Sequence, residues 1–440
     1  MMIRLARWPL ALLLALVTAA VQMIPAQVGK DAPWRTILSI HVVDIQQDGS
    51  VLRKEIPILS HEREDIKQPP GTVRGGGGAN IGVSSTGRVD VQWNTPRWTS
   101  LIVREGMLEE WRYGTSQWCL GRDLVGPFAC RSFPMELAEL DMEIIYGAND
   151  QPILLYVHRG AATRRKFSFL TDAPPREPDL LYAAGSSSSL THYSPLVWGN
   201  DLVMLWEEQS ESFLHRVTSR VRWARIPVSE VLSGKQLSAK TLASNAYEPR
   251  ITAVEGRDFY ASYIQVAGRK ARWRFCEWAG KDWHELASPT VGDLAWVRME
   301  SAGQKVVFVY ALREDCILDK SFGIVTTPRF SIARYRFYSK NSGFSAEKKL
   351  NMSQVGLSST VQLLALGETA YLIWCDNTPW GKPRLWRARR LIGDEWSSDV
   401  EVYDRSRTPR DGYDAEVWPG EARVDRLGRL LVLGVHYEYK

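Results

Sequence analysis

The sequence predicts an all-β fold in which one strand–turn–strand unit is repeated along the chain. Helical periodicity is almost absent, and the single short candidate is VSEVLSG at residues 228–234. Runs of β-branched and aromatic residues alternate with polar or glycine turns over most of the 440 residues. The chain also contains 18 Trp and 16 Tyr, which favour strands and supply large apolar side chains for a core.

Each predicted unit begins with an apolar strand, continues through a turn such as STGR, WGN or SAGQ, and returns in a second strand. Seven units begin near these positions: Ala79, Pro134, Tyr193, Tyr247, Leu294, Ser359 and Ala415. A third, arginine-rich strand follows in several units, as in RVRWARI, RWRFCEW, ARYRFY and LWRARR. Successive starts lie about 45 to 66 residues apart, a spacing that fits the blades of a β-propeller.

Seven blades is the predicted count, and six is the alternative because the unit at Pro134 has the weakest first strand. The last unit ends at Lys440 after its second strand, whereas residues 34–59 form two predicted strands without an inner partner. Pairing these N-terminal strands with the unit at 415–439 closes the ring and leaves no exposed edge. Residues 27–440 are therefore predicted to form a single propeller domain.

The Asn-Thr-Pro tripeptide occurs twice, in QWNTPRW at residues 92–98 and in IWCDNTPW at residues 373–380. Asn tolerates unusual backbone angles, and Pro fixes its own φ and moves the preceding residue out of the helical region. Both copies are predicted to be turns that join the second and third strands of their units.

The N-terminus has the pattern of a secretory signal peptide. Arg4 and Arg7 precede an apolar run, and small residues suitable for cleavage follow at Ala20 and Ala26. An uncleaved membrane anchor is the alternative, but the run spans about 14 residues where roughly 20 are needed to cross a bilayer. We expect residues 1–26 to be removed and the mature protein to be secreted or periplasmic, without a transmembrane segment.

Composition and motifs argue against several functional classes. The formal net charge of +5 is too small to indicate a nucleic-acid partner. The segment RGGGGAN lacks the Gly-Lys-Ser/Thr of a phosphate-binding loop, and GSSSSL lacks the closing glycine of a nucleophile elbow. The seven His residues show no metal-ligand spacing. We predict no metal site and no cofactor.

The five cysteines fall into two groups. Cys119 and Cys130 are close in sequence within a glycine-containing loop, and an exported protein meets an oxidising compartment, so we predict a disulfide between them. Cys276, Cys316 and Cys375 match no pairing pattern. Cys276 and Cys375 lie in strand-like runs, where a free cysteine is usually a small buried hydrophobic residue.

The repeat pattern resembles that of the sialidase-like propellers with bacterial neuraminidase repeats. The segments REGMLEEW, WAGKDW and LIGDEW keep a glycine before a Trp, as in the Asp-box of that family. They lack its Ser and Thr, and the Phe-Arg-Ile-Pro signature is also absent. The resemblance covers nearly the whole mature chain, and it implies the propeller fold more strongly than it implies sialidase activity.

Residues at or near the start of each first strand are predicted to surround the central funnel, where propellers bind ligands. The candidate catalytic residues there are His192, Tyr193, Tyr247, Glu248 and Asp414. The candidate substrate-binding residues are Arg250, Trp296, Arg298, Tyr413 and Glu416. Aromatic faces suit the apolar face of a sugar, and arginine forks suit carboxylate or sulfate groups. The alternative is that the tyrosines pack between blades and the charges are solvated.

Two mechanisms fit these residues. The family resemblance implies a hydrolase with a tyrosine nucleophile, a Glu partner, an arginine cluster and an Asp acid, and these positions match it: Tyr247 or Tyr413, Glu248, Arg250, Arg298 and Asp414. Some propeller-shaped polysaccharide lyases instead use His and Tyr as base and acid with Arg neutralising a uronate, and His192, Tyr193 and Arg250 are candidates for these roles.

The sequence therefore predicts an exported protein that binds or cleaves a glycan in its central funnel. The expected partner is a carbohydrate, either an anionic polysaccharide or the glycan of a glycoprotein. A non-catalytic lectin or interaction platform of the cell envelope is the alternative. The arginine-rich third strands are compatible with polyanion binding, but arginine alternating with aromatic residues is also typical of a strand with one solvated face.

Overall fold

The computed structural model describes the following residues: 34–63, 79–104, 107–122, 124–136, 141–147, 150–160, 164–171, 179–185, 188–211, 217–254, 258–268, 270–289, 291–317, 329–357, 360–375, 386–402 and 422–439. Antiparallel strands dominate these residues and form seven sheets. The predicted signal peptide lies outside them. No helix within the described ranges is long and apolar enough to cross a membrane.

The described chain begins with β1 (Trp34–Ile45) and β2 (Val51–Arg63), which belong to the last sheet. Sheet 1 contains β3 (Ala79–Val83), β4 (Arg88–Arg104), β5 (Met107–Arg122) and β6 (Val125–Glu136). Sheet 2 contains β7 (Asp141–Tyr146), β8 (Pro152–Gly160), β9 (Arg164–Thr171) and β10 (Asp179–Ala183). Sheet 3 contains β11 (Ser188–Trp198), β12 (Asp201–Glu211), β13 (Val217–Pro227) and β14 (Lys240–Ser244), with the short helix α1 (Val228–Leu232) after β13. This helix matches the predicted helical segment.

Sheet 4 contains β15 (Ala246–Val254), β16 (Asp258–Ala267), β17 (Lys270–Trp278) and β18 (Trp283–Leu286). Sheet 5 contains β19 (Leu294–Ala302), β20 (Lys305–Leu312), β21 (Cys316–Ile317), β22 (Arg329–Ser339), β23 (Gly343–Phe344) and β24 (Lys348–Leu357), with a 3-10 turn at Arg313–Asp315. Sheet 6 contains β25 (Gln362–Leu366), β26 (Thr369–Cys375), β27 (Trp386–Ile392), β28 (Glu395–Trp396) and β29 (Val400–Glu401). Sheet 7 contains β30 (Ala422–Val424) and β31 (Leu430–Tyr439), followed in space by β1 and β2.

The two ends of the described chain share sheet 7. Strand β1 pairs with β31 along its length, from Trp34 opposite Tyr439 to Val43 opposite Leu430. The other side of β1 pairs with β2. The predicted pairing of the N-terminal strands with the C-terminal unit is therefore confirmed.

Each sheet contacts the next through its first strand. These contacts run in the order β3, β7, β11, β15, β19, β25, β30 and back to β3. Apolar side chains fill the spaces between sheets, as between sheets 5 and 6, where Trp296 and Trp374 are buried. At close approaches a glycine is needed: a Cβ on Gly82 of β3 would meet the Ile144 side chain of β7 at 2.5 Å. The core is thus divided among the faces between neighbouring sheets.

Two predictions about individual elements are wrong. The second unit begins at Asp141, because Pro134 lies in β6 opposite Thr115 of β5. The first Asn-Thr-Pro segment lies inside β4, where Pro96 pairs with Gly114. Strand β3 pairs with β4 only as far as Trp93, so among the described residues this part of β4 pairs with β5 alone, an edge-like position that tolerates proline. The second copy lies outside the described residues, between β26 and β27.

Several arginines of the arginine-rich third strands pair with acidic residues. In β13, Arg222 lies 3.8 Å from Glu208. In β22, Arg334 pairs with Asp315 at 2.8 Å. Ion pairs within the protein therefore account for these guanidinium groups.

Candidate functional site

Two of the predicted site residues lie at β-bulges in the first strands of their sheets. In sheet 3 the register of β11 and β12 shifts at His192, which has no partner in the ladder. In sheet 4 the register of β15 and β16 shifts between Tyr247 and Arg250, so Glu248 lies in the bulge. His192 and Glu248 have φ angles of 32° and 51°, which are uncommon for residues other than glycine. Bulges and such backbone angles recur next to active sites, where they re-aim side chains.

The carboxylate of Glu207 on β12 joins these two bulges. One of its oxygens lies 3.1 Å from His192 Nδ1 and accepts the backbone N–H of Glu248 at 3.3 Å. The other oxygen accepts from Gln209 Nε2 at 2.7 Å and from Ser219 Oγ at 3.0 Å. Because the Glu207 side chain is only 2% exposed, these four partners replace the water that a carboxylate otherwise binds.

Glu207 also determines which nitrogen of His192 carries a proton. Burial raises the pKa of Glu207, but hydrogen bonds from His192 and Gln209 outweigh burial, so the pKa lies below its usual value. An ionised carboxylate can only accept a hydrogen bond, so His192 Nδ1 is the donor. The His192 side chain is 53% exposed. In the neutral ring, Nε2 is therefore free of a proton and able to take one from a bound molecule.

Arg298 of β19 extends this network to sheets 5 and 6. Its guanidinium donates to Glu248 Oε2 at 3.3 Å and to the carbonyl oxygens of Val361 and Val297, both at 2.9 Å. Burial lowers the pKa of Arg298 to about 10, and the nearby Arg250 acts in the same direction. Arg298 is still charged at neutral pH, but much of its hydrogen-bonding capacity is used within the protein.

A second group, the charge cluster, consists of Glu143 of β7, Arg250 of β15, Glu300 of β19 and Arg423 of β30. Arg423 lies 3.4 Å from Glu143. Arg250 attracts both carboxyl groups, and Thr252 Oγ1 lies 3.4 Å from Glu300. These residues come from the first strands of sheets 2, 4, 5 and 7. The first strands therefore bring charges from distant parts of the chain into one space.

Burial raises the pKa of both carboxyl groups in the charge cluster. Burial raises the pKa of Glu300 to about 8, although Arg250 and Arg423 lower it. Burial also raises the pKa of Glu143, although the same two arginines lower it. The side chains of Glu143 and Arg423 are 29% and 23% exposed, so solvent still reaches them. With Glu300 protonated at neutral pH, the cluster carries a net positive charge.

Arg250 has an unused donor. Its Nε is buried and has no hydrogen-bond partner among the residues that the structure describes. A buried N–H without an acceptor is costly, and a planar guanidinium matches the oxygens of a carboxylate or sulfate. Of the two arginines predicted to bind an anionic sugar, Arg250 is therefore the better placed.

The predicted aromatic residues pack between sheets. Tyr193 contacts the core between sheets 2 and 3, and Tyr247 contacts the core between sheets 4 and 5. Trp296 is 2% exposed, with its ring 5.0 Å from that of Phe330, so the expectation that it offers a face to a sugar is wrong. Burial and the nearby Glu248 raise the pKa of Tyr247, the opposite of what a nucleophile needs.

Other predicted residues are not described in full. Tyr413, Asp414 and Glu416 lie outside the described residues, so their predicted roles stay predictions. Cys119 and Cys130 lie directly opposite each other on β5 and β6. The predicted loop between them is thus a strand pair, and the disulfide itself stays a prediction. Within the described ranges, no group of three or more potential ligands could hold a metal ion.

Sequence reasoning missed Glu143, Glu207, Glu300 and Arg423. Glu300 stands two positions after Arg298 on β19, and residues two apart share a face of a strand, so alternation was an available signal. Glu143 is a charge within the apolar strand DMEIIY, and the wrong start of this unit concealed it. Glu207 lies on a second strand, away from the first strands on which ligand-binding residues were expected.

No protein-family model matches the chain, and no curated protein matches it. Solved structures resemble it only distantly. AofleA from Arthrobotrys oligospora has 8% identity over 74% of this chain and 85% of its own, with a TM-score of 0.39. A Trypanosoma rangeli sialidase has 11% identity over 84% of this chain and 59% of its own, also with a TM-score of 0.39. A prolyl endopeptidase structure has 11% identity over 91% of this chain and 55% of its own, with a TM-score of 0.43.

The structures that resemble the chain thus include a sialidase, and they also include glycoside hydrolases. At these identities and TM-scores the likeness carries no argument about family or function. The neuraminidase-repeat assignment has no support from a family model. The geometry of the site is therefore what indicates a function.

Proposed function

We propose that the protein is an exported, seven-bladed β-propeller that cleaves an anionic glycan by proton transfer at His192. The ring is supported by the seven sheets, by the cyclic order of contacts among their first strands, and by the pairing of β1 with β31. Export rests on the N-terminal sequence pattern. The first strands of the ring would place the site around the central axis.

One observation carries the proposed chemistry: the exposed imidazole of His192 is held by the buried carboxylate of Glu207. This pair fixes Nδ1 as the donor and presents Nε2 as a base, as in other sites where a carboxylate orients a histidine. Tyr247 packs between sheets and has a raised pKa, so it does not favour the hydrolase mechanism with a tyrosine nucleophile. The geometry therefore favours elimination on a uronate.

In this reaction His192 Nε2 takes the proton from the carbon next to the sugar carboxylate. The electron pair of that C–H bond forms a carbon–carbon double bond as the neighbouring C–O bond of the glycosidic linkage breaks. The departing oxygen takes up a proton, and Glu300 is a described carboxyl that holds one at neutral pH. Arg250 would bind the sugar carboxylate and stabilise the charge that develops on it.

A glycan screen with matched variants tests the proposal. Wild-type protein is incubated with uronate polysaccharides, sulfated glycans and sialosides, and unsaturated products, new reducing ends and binding are measured. We expect unsaturated products from a uronate polysaccharide. His192→Ala should lower the rate by about 10²- to 10⁴-fold and leave binding intact. His284→Ala, at an exposed histidine on β18, is the matched control.

Arg250→Ala should weaken binding of the glycan by about ten- to a hundredfold, because charge-assisted hydrogen bonds are lost. Arg272→Ala, at an exposed arginine on β17, should leave binding unchanged. Saturated reducing ends alone would indicate hydrolysis, and binding without any product would indicate a lectin. Either result, or full activity of His192→Ala, contradicts the proposed reaction.

A further inference from the structure

Glu248 occupies the bulge of β15 in a backbone conformation that its neighbours must hold. Its φ angle of 51° lies in the left-handed region, which costs free energy for any residue that has a Cβ. Its backbone N–H donates to Glu207 Oε2 at 3.3 Å, and its own carboxylate accepts from Arg298 Nη1 at 3.3 Å. Glu207 therefore holds the bulge through the main chain, and Arg298 holds it through the side chain.

The guanidinium of Arg298 is itself fixed by backbone carbonyl groups. Its Nε donates to the carbonyl oxygen of Val361, the residue before β25, and its Nη1 donates to that of Val297 on β19, both at 2.9 Å. The Arg298 side chain is mostly buried, so these bonds and the ion pair with Glu248 replace its contacts with water. The position of the guanidinium is thus set by sheets 5 and 6.

The Glu248 N–H matters because of the oxygen that it binds. Glu207 Oε2 also lies 3.1 Å from His192 Nδ1, and the half-exposed imidazole can turn towards water. Among the described residues, Gln209 and Ser219 bind the other oxygen of Glu207, so the Glu248 N–H is what holds Oε2 from the protein side. The direction of Oε2, and with it the direction of the His192 ring, therefore depends on the Glu248 bulge.

We propose that Arg298 is a positioning residue, which orients the imidazole of His192 through the Glu248 bulge and Glu207. The contacts run from sheet 5 through sheet 4 to sheet 3. This inference rests on the proposed function in assigning proton transfer to His192. The orientation of the ring in the protein without glycan does not depend on that assignment.

This role separates the two arginines that were predicted to bind an anionic sugar. Arg298 uses Nε and Nη1 on acceptors within the protein, and its charge is paired with Glu248. Arg250 has a buried Nε without an acceptor among the described residues. Loss of Arg250 should therefore weaken glycan binding, whereas loss of Arg298 should slow the reaction and leave binding intact.

The kinetics and the NMR spectrum of Arg298→Gln test this role. We expect kcat to fall about tenfold and KM to change less than about twofold, since a misdirected base affects the chemical step. Without glycan, nitrogen NMR shifts of the His192 ring should show a smaller fraction of the tautomer that is protonated on Nδ1. Arg336→Gln is the matched control, because Arg336 also belongs to sheet 5 and pairs with a carboxylate, that of Glu347 at 3.5 Å. It should leave kcat and the tautomer unchanged.

The variants Glu248→Ala and Glu248→Gly keep Arg298 in place and separate the backbone conformation from the ion pair. Both lose the ion pair and keep the backbone N–H. Alanine still pays for a positive φ, whereas glycine adopts it freely, so only Glu248→Ala should shift the His192 tautomer as Arg298→Gln does. Adding Arg298→Gln to Glu248→Gly should have little further effect, because the bulge no longer needs the ion pair.

Thermal melting identifies the variants that fold, and the two Glu248 variants decide the matter if Arg298→Gln does not. The inference would be overturned by a wild-type tautomer in Arg298→Gln or Glu248→Ala, or by equal shifts in Glu248→Ala and Glu248→Gly. Weakened glycan binding in Arg298→Gln at an unchanged kcat would overturn it too. A protein whose His192 tautomer depends on Arg298 in this way but which cleaves no glycan would keep the inference and lose the proposed reaction.

Discussion

At the scale of single residues, Glu207 organises the candidate site. One of its oxygens holds both the imidazole of His192 and the backbone of the Glu248 bulge, two features on neighbouring sheets. Neither bulge has a ladder partner at its extra residue, so the carboxylate supplies contacts that the strand pairing omits. Glu207 can therefore orient the imidazole of His192, the group proposed to transfer the proton, without contacting the substrate itself.

Glu207→Gln should disturb the orientation of the His192 ring without weakening the binding of the glycan. The amide cannot accept as an ionised carboxylate does, so His192 loses its fixed tautomer, and we expect the cleavage rate to fall on the order of a hundredfold. Glycan binding should stay near wild type. Nitrogen NMR shifts of the His192 ring should show a mixture of tautomers, a change that a purely structural role would not produce.

Glu208→Gln is the matched control for this prediction. Glu208 is the next residue on β12 and accepts the Tyr182 hydroxyl at 2.8 Å, so its replacement also removes a charged acceptor. This variant should keep the cleavage rate and the His192 tautomer. Equal losses of activity in both variants would mean that Glu207 acts only through stability.

The sequence predicted part of this site, because position in the repeat indicates where a backbone lies. His192, Glu248, Arg250 and Arg298 all belong to the polar networks. The direction of a side chain at a strand start depends on bulges and on the space between sheets, which are properties of the packed structure. Trp296 shows the consequence, since its ring gains more by burial between sheets than by facing water.

At the scale of elements, irregular strand pairing recurs where the site residues lie. The register of the first strand shifts at His192 in sheet 3, around Glu248 in sheet 4, and between Leu294 and Trp296 in sheet 5. Period-2 alternation in a sequence assumes unbroken pairing, so each extra residue reverses the faces that follow it. This is why the strands were predicted well and their inward-facing side chains less well.

The strand pair β5–β6 makes the disulfide prediction specific. Directly opposed residues on antiparallel strands have Cα atoms about 4.5 to 5.5 Å apart, which lies within the range for a disulfide. We expect Cys119 and Cys130 to be bridged in exported protein. Replacing both by Ser should cost about 3 kcal/mol of unfolding free energy, the loop-closure contribution for a bridge of this span.

Peptide mapping under non-reducing conditions measures the bridge directly. Cys276 and Cys375 are buried and form no disulfide with the described residues, so they should be recovered as thiols after unfolding in an alkylating agent and serve as internal controls. Recovery of Cys119 and Cys130 as thiols in the same sample would contradict the prediction.

At the scale of the whole molecule, sheet 7 joins the ends of the described chain. This feature was predictable because an incomplete last unit and two unpaired first strands complement each other. The number of outer strands in each sheet was not predictable from the sequence. Sheets 5 and 6, for example, have additional strands that pair with β22 and β27. Such short pairings depend on loop geometry more than on hydrophobic pattern.

Removing residues 1–63 should leave β31 with an unpaired edge, and we expect the product to be insoluble. Removing residues 1–33 is the control and should leave solubility and melting temperature unchanged. A permuted chain that begins at residue 79 and carries residues 34–63 after Lys440 should fold. Because Trp34 pairs with Tyr439, a short hairpin loop suffices for that connection.

Solubility after expression and thermal melting measure all three chains. The permuted chain should melt within a few degrees of the control, since it keeps every pairing of sheet 7. A soluble deletion variant with the melting temperature of the control would show that β1 and β2 are dispensable to the fold.

The pairing of Trp34 with Tyr439 also sets an order in time. Strand β1 leaves the ribosome long before β31, the partner on its inner side. Joining ends so far apart adds little thermodynamic cost, because closure entropy grows only with the logarithm of loop length, yet such distant contacts form slowly. Sheet 7 should thus be the last to assemble, because β1 lacks its inner partner until β31 has been made.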